Sequence, residues 1–203
     1  MPLIYAHRGV WASRNQQNSI ESIESARVHG FGLETDFRSR NKKLVISHDP
    51  LLDHNTLTEN LFDFSGIPVA LNIKEDGLSD LYEEFFGRNP HPYSFLFDGS
   101  IPEMIKIREK GLPHALRLSE YERQTPWETK FLWIDGFHSD WWKNSEEIED
   151  YMHRKTLVFV SPELHGREFK NTWDYFKKLK STHENIFGVC TDHPAELRDF
   201  LNE

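Results

Sequence analysis

Short apolar runs recur along the chain, separated by stretches in which apolar residues return every three or four positions. The first pattern is that of strands buried on both faces, the second that of amphipathic helices. We read strands at LIYAHRG (3–9), FGLETDF (31–37), PVALNIK (68–74), YSFLFD (93–98), HALRLS (114–119), FLWIDGF (131–137), TLVFVS (156–161) and FGVCTD (187–192). Helical patterns lie between them. SIESIESARVHG is capped by Asn18 or Ser19 and stopped by Gly30. SDLYEEFF, IPEMIKIREKG, SEEIEDYMHR, NTWDYFKKLK and AELRDFL follow. The crossover over 120–130 has no helical period and is expected to be irregular.

Eight strand runs with intervening helices predict a parallel sheet with right-handed crossovers, closed into a (β/α)8 TIM barrel. One compact domain over 1–203 is expected. An open doubly wound sheet would carry a glycine-rich first turn, and none follows Gly9. KKLVISHD (42–49) is an additional strand-like run, and Asn41-Lys42 before it reads as a tight turn. A short hairpin after the second strand is therefore expected, returning His48-Asp49 beside that strand's tip.

A parallel barrel gathers its working groups at the C-terminal ends of its strands. The first strand ends in His7-Arg8, the second carries Glu34 and Asp36, the hairpin His48-Asp49, and the third strand Asn72 and Lys74. Residues two apart share a strand face, so Glu34 pairs with Asp36 and Asn72 with Lys74. Two carboxylates and a neutral oxygen donor suit a hard divalent cation, Mg2+ or Ca2+. A cation flanked by an arginine and a lysine suits a phosphate diester and the charge it develops in reaction. Two histidines, with unperturbed pKa values of about 6.5, can divide the proton transfers.

Composition narrows the partner. The chain has 203 residues, with 24 Lys and Arg against 33 Asp and Glu, for a formal net charge of −9. Nucleic-acid binding leaves a basic footprint, so a nucleic-acid partner is not expected. A small phosphorylated ligand needs only a few local cations. Cys190 is the single cysteine, which excludes an internal disulfide. With no basic-then-apolar leader and no apolar run that could span a bilayer, the expected location is cytoplasmic.

AHRG (6–9), QNSIESIESARVHGF (17–31), LETDF (33–37), LVISHD (44–49) and TDHP (191–194) resemble, in this order, the glycerophosphodiester phosphodiesterase family. The match is specific over 3–53 and, apart from TDHP, architectural beyond it. The resemblance implies a metal-dependent barrel hydrolase, acting on a glycerophosphodiester or a related polyol or sugar phosphodiester in lipid metabolism. It implies His7 and His48 as the acid–base pair, Arg8 on the phosphate, and Glu34 and Asp36 on the metal. In the family's reaction a neighbouring hydroxyl attacks phosphorus and leaves a cyclic phosphate, which water then opens.

The chain departs from the family at two motif positions. Asn72 stands where a Glu usually precedes the third-strand lysine, and Gln17-Asn18 replaces Glu-Asn. Only LLDHNTLTENLFDFSGI (51–67) follows His-Asp, where members active on glycerophosphodiesters commonly carry a long helical insertion. The seventh strand runs into SPELHGR, and we expect Glu163, His165 and Arg167 there to recognise the alcohol. FDGSIP (97–102), Arg117 and Asp135 also fall at strand ends, while Trp141 and Trp142 are expected in packing. The same residues also suit a phospholipase D-like lyase that stops at the cyclic phosphate, or a barrel that binds phosphorylated ligands without turnover.

Overall fold

The computed structural model describes residues 2–50, 57–58, 64, 66–88, 91–183 and 186–203. Among these, the strands are β1 (Leu3–His7), β2 (Gly32–Arg40), β3 (Lys43–Ile46), β4 (Leu57–Thr58), β5 (Val69–Ile73), β6 (Phe95–Phe97), β7 (Ala115–Leu118), β8 (Phe131–Ile134), β9 (Thr156–Val160) and β10 (Gly188–Thr191). The helices are α1 (Ile20–Val28), α2 (Ser79–Arg88), α3 (Ile101–Glu109), α4 (Glu146–Arg154), α5 (Lys170–Thr182) and α6 (Pro194–Asn202). Eight of the strands are parallel and alternate with helices or irregular crossovers, and the fold is a (β/α)8 barrel. Strand β3 pairs antiparallel with β2, the hairpin expected after that strand, and β4 pairs antiparallel with β3. Most of the 51–67 connection lies outside the described residues. The chain divides into two compact units, His7–His114 and Met1–Ala6 with Ala115–Glu203.

In the His7–His114 unit, β2 pairs in parallel with β5, and β5 with β6. The run VALNI in β5 is buried along its whole length, as a parallel strand covered on both faces requires. Strand β2 breaks that rule, because Glu34, Thr35 and Asp36 lie buried within it. Asn41 and Lys42 both adopt positive φ, 51° and 60°, and so reverse the chain. Arg40 then faces Lys43, and Phe37 faces Ile46. Ser19, not Asn18, caps α1 by accepting the Ser22 N–H at 3.1 Å. Glu103 of α3 is buried and accepts the backbone N–H groups of Gly77 and Leu78 at 2.9 and 3.0 Å, fixing the turn before α2.

The other unit carries β1, β10, β9, β8 and β7 in parallel order. Its core is aromatic. Trp142 is buried, stacks on Phe176 and packs 4.6 Å from Phe159 between ring centres. Trp141 donates its indole N–H to the Asp135 carbonyl at 2.7 Å and lies under the Arg123 guanidinium. The 120–130 crossover holds no helix, as its sequence predicts, and is pinned instead by Glu120. That carboxylate accepts the N–H groups of Phe137, His138 and Ser139 at 3.0, 3.0 and 2.9 Å.

Partial burial acts to raise the Glu120 carboxyl, but the backbone donors of His138, Glu120 itself, Ser139 and Phe137 outweigh it and bring it to about 2. The folded value thus lies below the unfolded one. The anchor is complete above the ordinary carboxyl range and is lost as the pH falls through the folded value. Glu120→Gln should cost about 1 kcal/mol of stability near neutral pH in urea unfolding, a modest figure because the site is largely exposed. The gap from wild type should narrow as the pH is lowered from about 5 towards about 2.

Candidate active site

The His7-Arg8-Gly9 turn is built by backbone geometry. Arg8 and Gly9 both take positive φ, 56° and 91°, so the chain leaves β1 sharply. The Arg8 N–H donates to the Glu34 carbonyl at 2.9 Å. The Arg8 carbonyl accepts the Asn18 N–H at 2.9 Å and the Ser22 hydroxyl at 3.2 Å. A Cβ on Gly9 would stand 2.6 Å from the carbonyl carbon and oxygen of Ser22. Glycine is thus required there for conformation and for space.

Asp36 is the hub. It is fully buried, with Arg8 Nε 2.9 Å from Oδ2 and Lys74 Nζ 3.2 Å from Oδ1. Asn18 Nδ2 donates to Oδ2 at 2.8 Å, and Asn18 Oδ1 accepts from Thr35 Oγ1 at 2.7 Å, which fixes the amide's orientation. Gln17 Oε1 accepts from Arg8 Nη1 at 3.2 Å. Glu34 is almost as buried but lies farther from the cations. Its Oε2 is 3.8 Å from His7 Nε2, and its Oε1 is 3.4 Å from Asn72 Nδ2. Burial first, then the neighbouring Asp36 charge, push the Glu34 carboxyl up to about 7 against the pull of His7, Arg8 and Lys74.

The oxygen chemistry fits a hard cation. Glu34 Oε2, Asp36 Oδ1 and Asn72 Oδ1 are buried acceptors without a hydrogen-bond donor, although the Lys74 ammonium faces the Asp36 atom as an ion pair. They belong to the three residues that the sequence pattern selects for a metal. Among the described residues no three His, Cys, Asp or Glu side chains converge on one point. The third donor is instead an amide, so the set carries at most two negative charges.

His48 joins the cluster through its backbone. Arg38 Nη2 donates to the His48 carbonyl at 3.0 Å, while Arg38 Nη1 donates to the Lys74 carbonyl at 2.8 Å. The Ser47 N–H reaches the Asp36 carbonyl at 3.0 Å. The His48 imidazole is half-exposed, with Nδ1 2.8 Å from Asp49 Oδ1. That contact, led by its hydrogen bond, lowers the Asp49 carboxyl. Arg38, Gln17 and Asn18 were not among the selected site residues. Arg38 continues the face of Glu34 and Asp36 at the next alternate position of β2, a signal the sequence does contain.

Glu163, His165 and Arg167 lie in the other unit and are engaged within it. Glu163 accepts from Thr191 Oγ1, Ser161 Oγ and the Asp192 N–H. Arg167 donates to the Gly136 carbonyl at 2.7 Å and pairs with Asp140. His165 Nε2 lies 2.7 Å from Asp135 Oδ1, and its ring packs 4.9 Å from that of Phe137.

Neither the protein-family models nor the curated proteins contain a match to this sequence. Solved structures do match. A proposed glycerophosphodiester phosphodiesterase from Galdieria sulphuraria superposes with a TM-score of 0.72 at 12% identity, covering 100% of this chain and 98% of that one. The glycerophosphodiester phosphodiesterase from Agrobacterium tumefaciens str. C58 superposes at 0.67 with 14% identity, covering 100% of both. This chain shares the barrel fold of those two proteins. The family suggested by the N-terminal motifs and the family of these two structures coincide.

In this barrel the first turn tolerates little change. Gly9→Ala should cost at least about 2 kcal/mol in urea unfolding, from the left-handed φ and the contact with Ser22. A loss below about 0.5 kcal/mol would show that α1 can move away from the turn.

Proposed function

We propose that the chain is a phosphoric diester hydrolase of the glycerophosphodiester phosphodiesterase type. The observation that carries the reading is the convergence of His7, Arg8, Asn72 and Lys74 on two buried carboxylates, with His7 and Asn72 at Glu34 and Arg8 and Lys74 at Asp36. A core strand would not bury two acids without a purpose that offsets their desolvation.

In this reading Glu34, Asp36 and Asn72 hold a divalent cation, Mg2+ or Ca2+. When bound, the cation supplies positive charge to a phosphate oxygen. Arg8 and Lys74, which contact Asp36, take up the phosphate's remaining charge. His7 and His48 divide the proton transfers, one taking the proton of the attacking hydroxyl and the other protonating the leaving oxygen. Arg38 keeps His48 in register with Lys74 by holding both carbonyls. The substrate is a small phosphodiester of glycerol or of a related polyol or sugar, as in lipid turnover. Within the other unit, Asp135 orients His165, and Glu163 and Arg167 hold the loop that carries it. A cytoplasmic setting accords with Cys190 being the single cysteine of the sequence.

Turnover of a panel of glycerophosphodiesters and sugar phosphodiesters, with and without chelator, tests the reading. His7→Ala and His48→Ala should each lower kcat by about 100-fold or more, and chelation should abolish activity. Turnover that survives both substitutions would overturn the assignment. Phosphorus NMR of the products separates a hydrolase from a lyase that stops at the cyclic phosphate. Binding of substrate without any turnover would point to a ligand-binding barrel.

A further inference from the structure

The oxygen donors around Asp36 suit a cation, but their charge is already matched. Glu34 and Asp36 supply at most two negative charges, while Arg8 and Lys74 supply two positive ones. A divalent cation arriving alone would leave this buried cluster with a net positive charge, in surroundings where like charges repel strongly. It would also compete with Arg8, Asn18 and Lys74, at 2.9, 2.8 and 3.2 Å, for the oxygens of Asp36. A carboxylate at position 72 would offset that charge; the amide of Asn72 offers an oxygen and no charge.

A phosphodiester changes the balance. It brings one negative charge and free oxygens to the cation, and it gives Arg8 and Lys74 an anion other than Asp36. Resting on the phosphodiesterase reading above, we propose that Asn72 makes the metal ion and the phosphodiester bind as a pair. Each binds weakly alone, and each is tightened by the other. Linkage requires the two gains to be equal. The metal would thus be recruited with each substrate and would not be a permanent resident of the protein.

Binding of Mn2+ to the purified chain, followed by the paramagnetic resonance of the free ion, tests this without turnover. The probe anion is dimethyl phosphate, a diester with no neighbouring hydroxyl to attack phosphorus. Saturating dimethyl phosphate should tighten Mn2+ binding by about tenfold or more, and Mn2+ should tighten dimethyl phosphate by the same factor in calorimetry. Asn72→Glu should bind Mn2+ alone about tenfold more tightly, with the gain from the diester reduced to about twofold. Asn72→Asp serves the same purpose if circular dichroism shows that the Glu variant does not fold. Equal Mn2+ affinity with and without the diester in the wild type would overturn the pairing and leave the metal reading standing. So would a carboxylate variant that keeps the full gain. Failure to bind Mn2+ even with saturating diester would overturn both.

Discussion

The carboxylate of Asp36 sits in the middle of β2 with no access to water, and the arrangement of its unit depends on how that charge is answered. Removing a carboxylate from water costs several kcal/mol unless paired groups replace the hydration. Here the replacement comes from the turn after β1, from the residue before the cap of α1, and from the end of β5. These segments are far apart in sequence. Packing the strands and assembling the site are therefore one event, because a strand that failed to dock would leave the Asp36 charge unanswered.

The contrast with Glu34 shows how two acids on one face come to differ. Both are buried, but the cations and the Asn18 amide gather on Asp36, while Glu34 meets only a distant imidazole and a long amide contact. Its carboxyl accordingly moves towards neutrality. One anchored acid beside one that is weakly held gives the site a fixed point and an adjustable one. Asn72 preserves this asymmetry, since a carboxylate there would add a third charge for the same two cations to answer.

Much of the fold is legible because strands buried on both faces announce themselves as apolar runs, and because turn chemistry is local. The Asn41-Lys42 reversal and the irregular 120–130 crossover both follow from patterns within a few residues. The site is legible where alternation along one strand places the groups, as for Glu34 and Asp36. It is less so where contacts join different segments. Nothing near Asn18 in the sequence says that its amide bridges Thr35 and Asp36, since that depends on a left-handed backbone at residue 18. Glu163 and Arg167 illustrate the reverse. Their position beyond a strand end suggests ligand contact, yet the structure commits them to neighbouring backbone and hydroxyl groups that no strand pattern reveals.

The pinning of Arg8 to Asn18 and Ser22 has a consequence for how the chain can change. It closes the segment from Gly9 to Gln17 into a loop whose two ends are fixed to each other independently of what lies between. Residues 12–16 of that loop are exposed. The entropy of closing a loop grows only slowly with its length. This strap is therefore a place where residues can be added or removed while the carboxylate hub stays undisturbed, and new surface over the first helix can arise there without redesign of the chemistry beneath it.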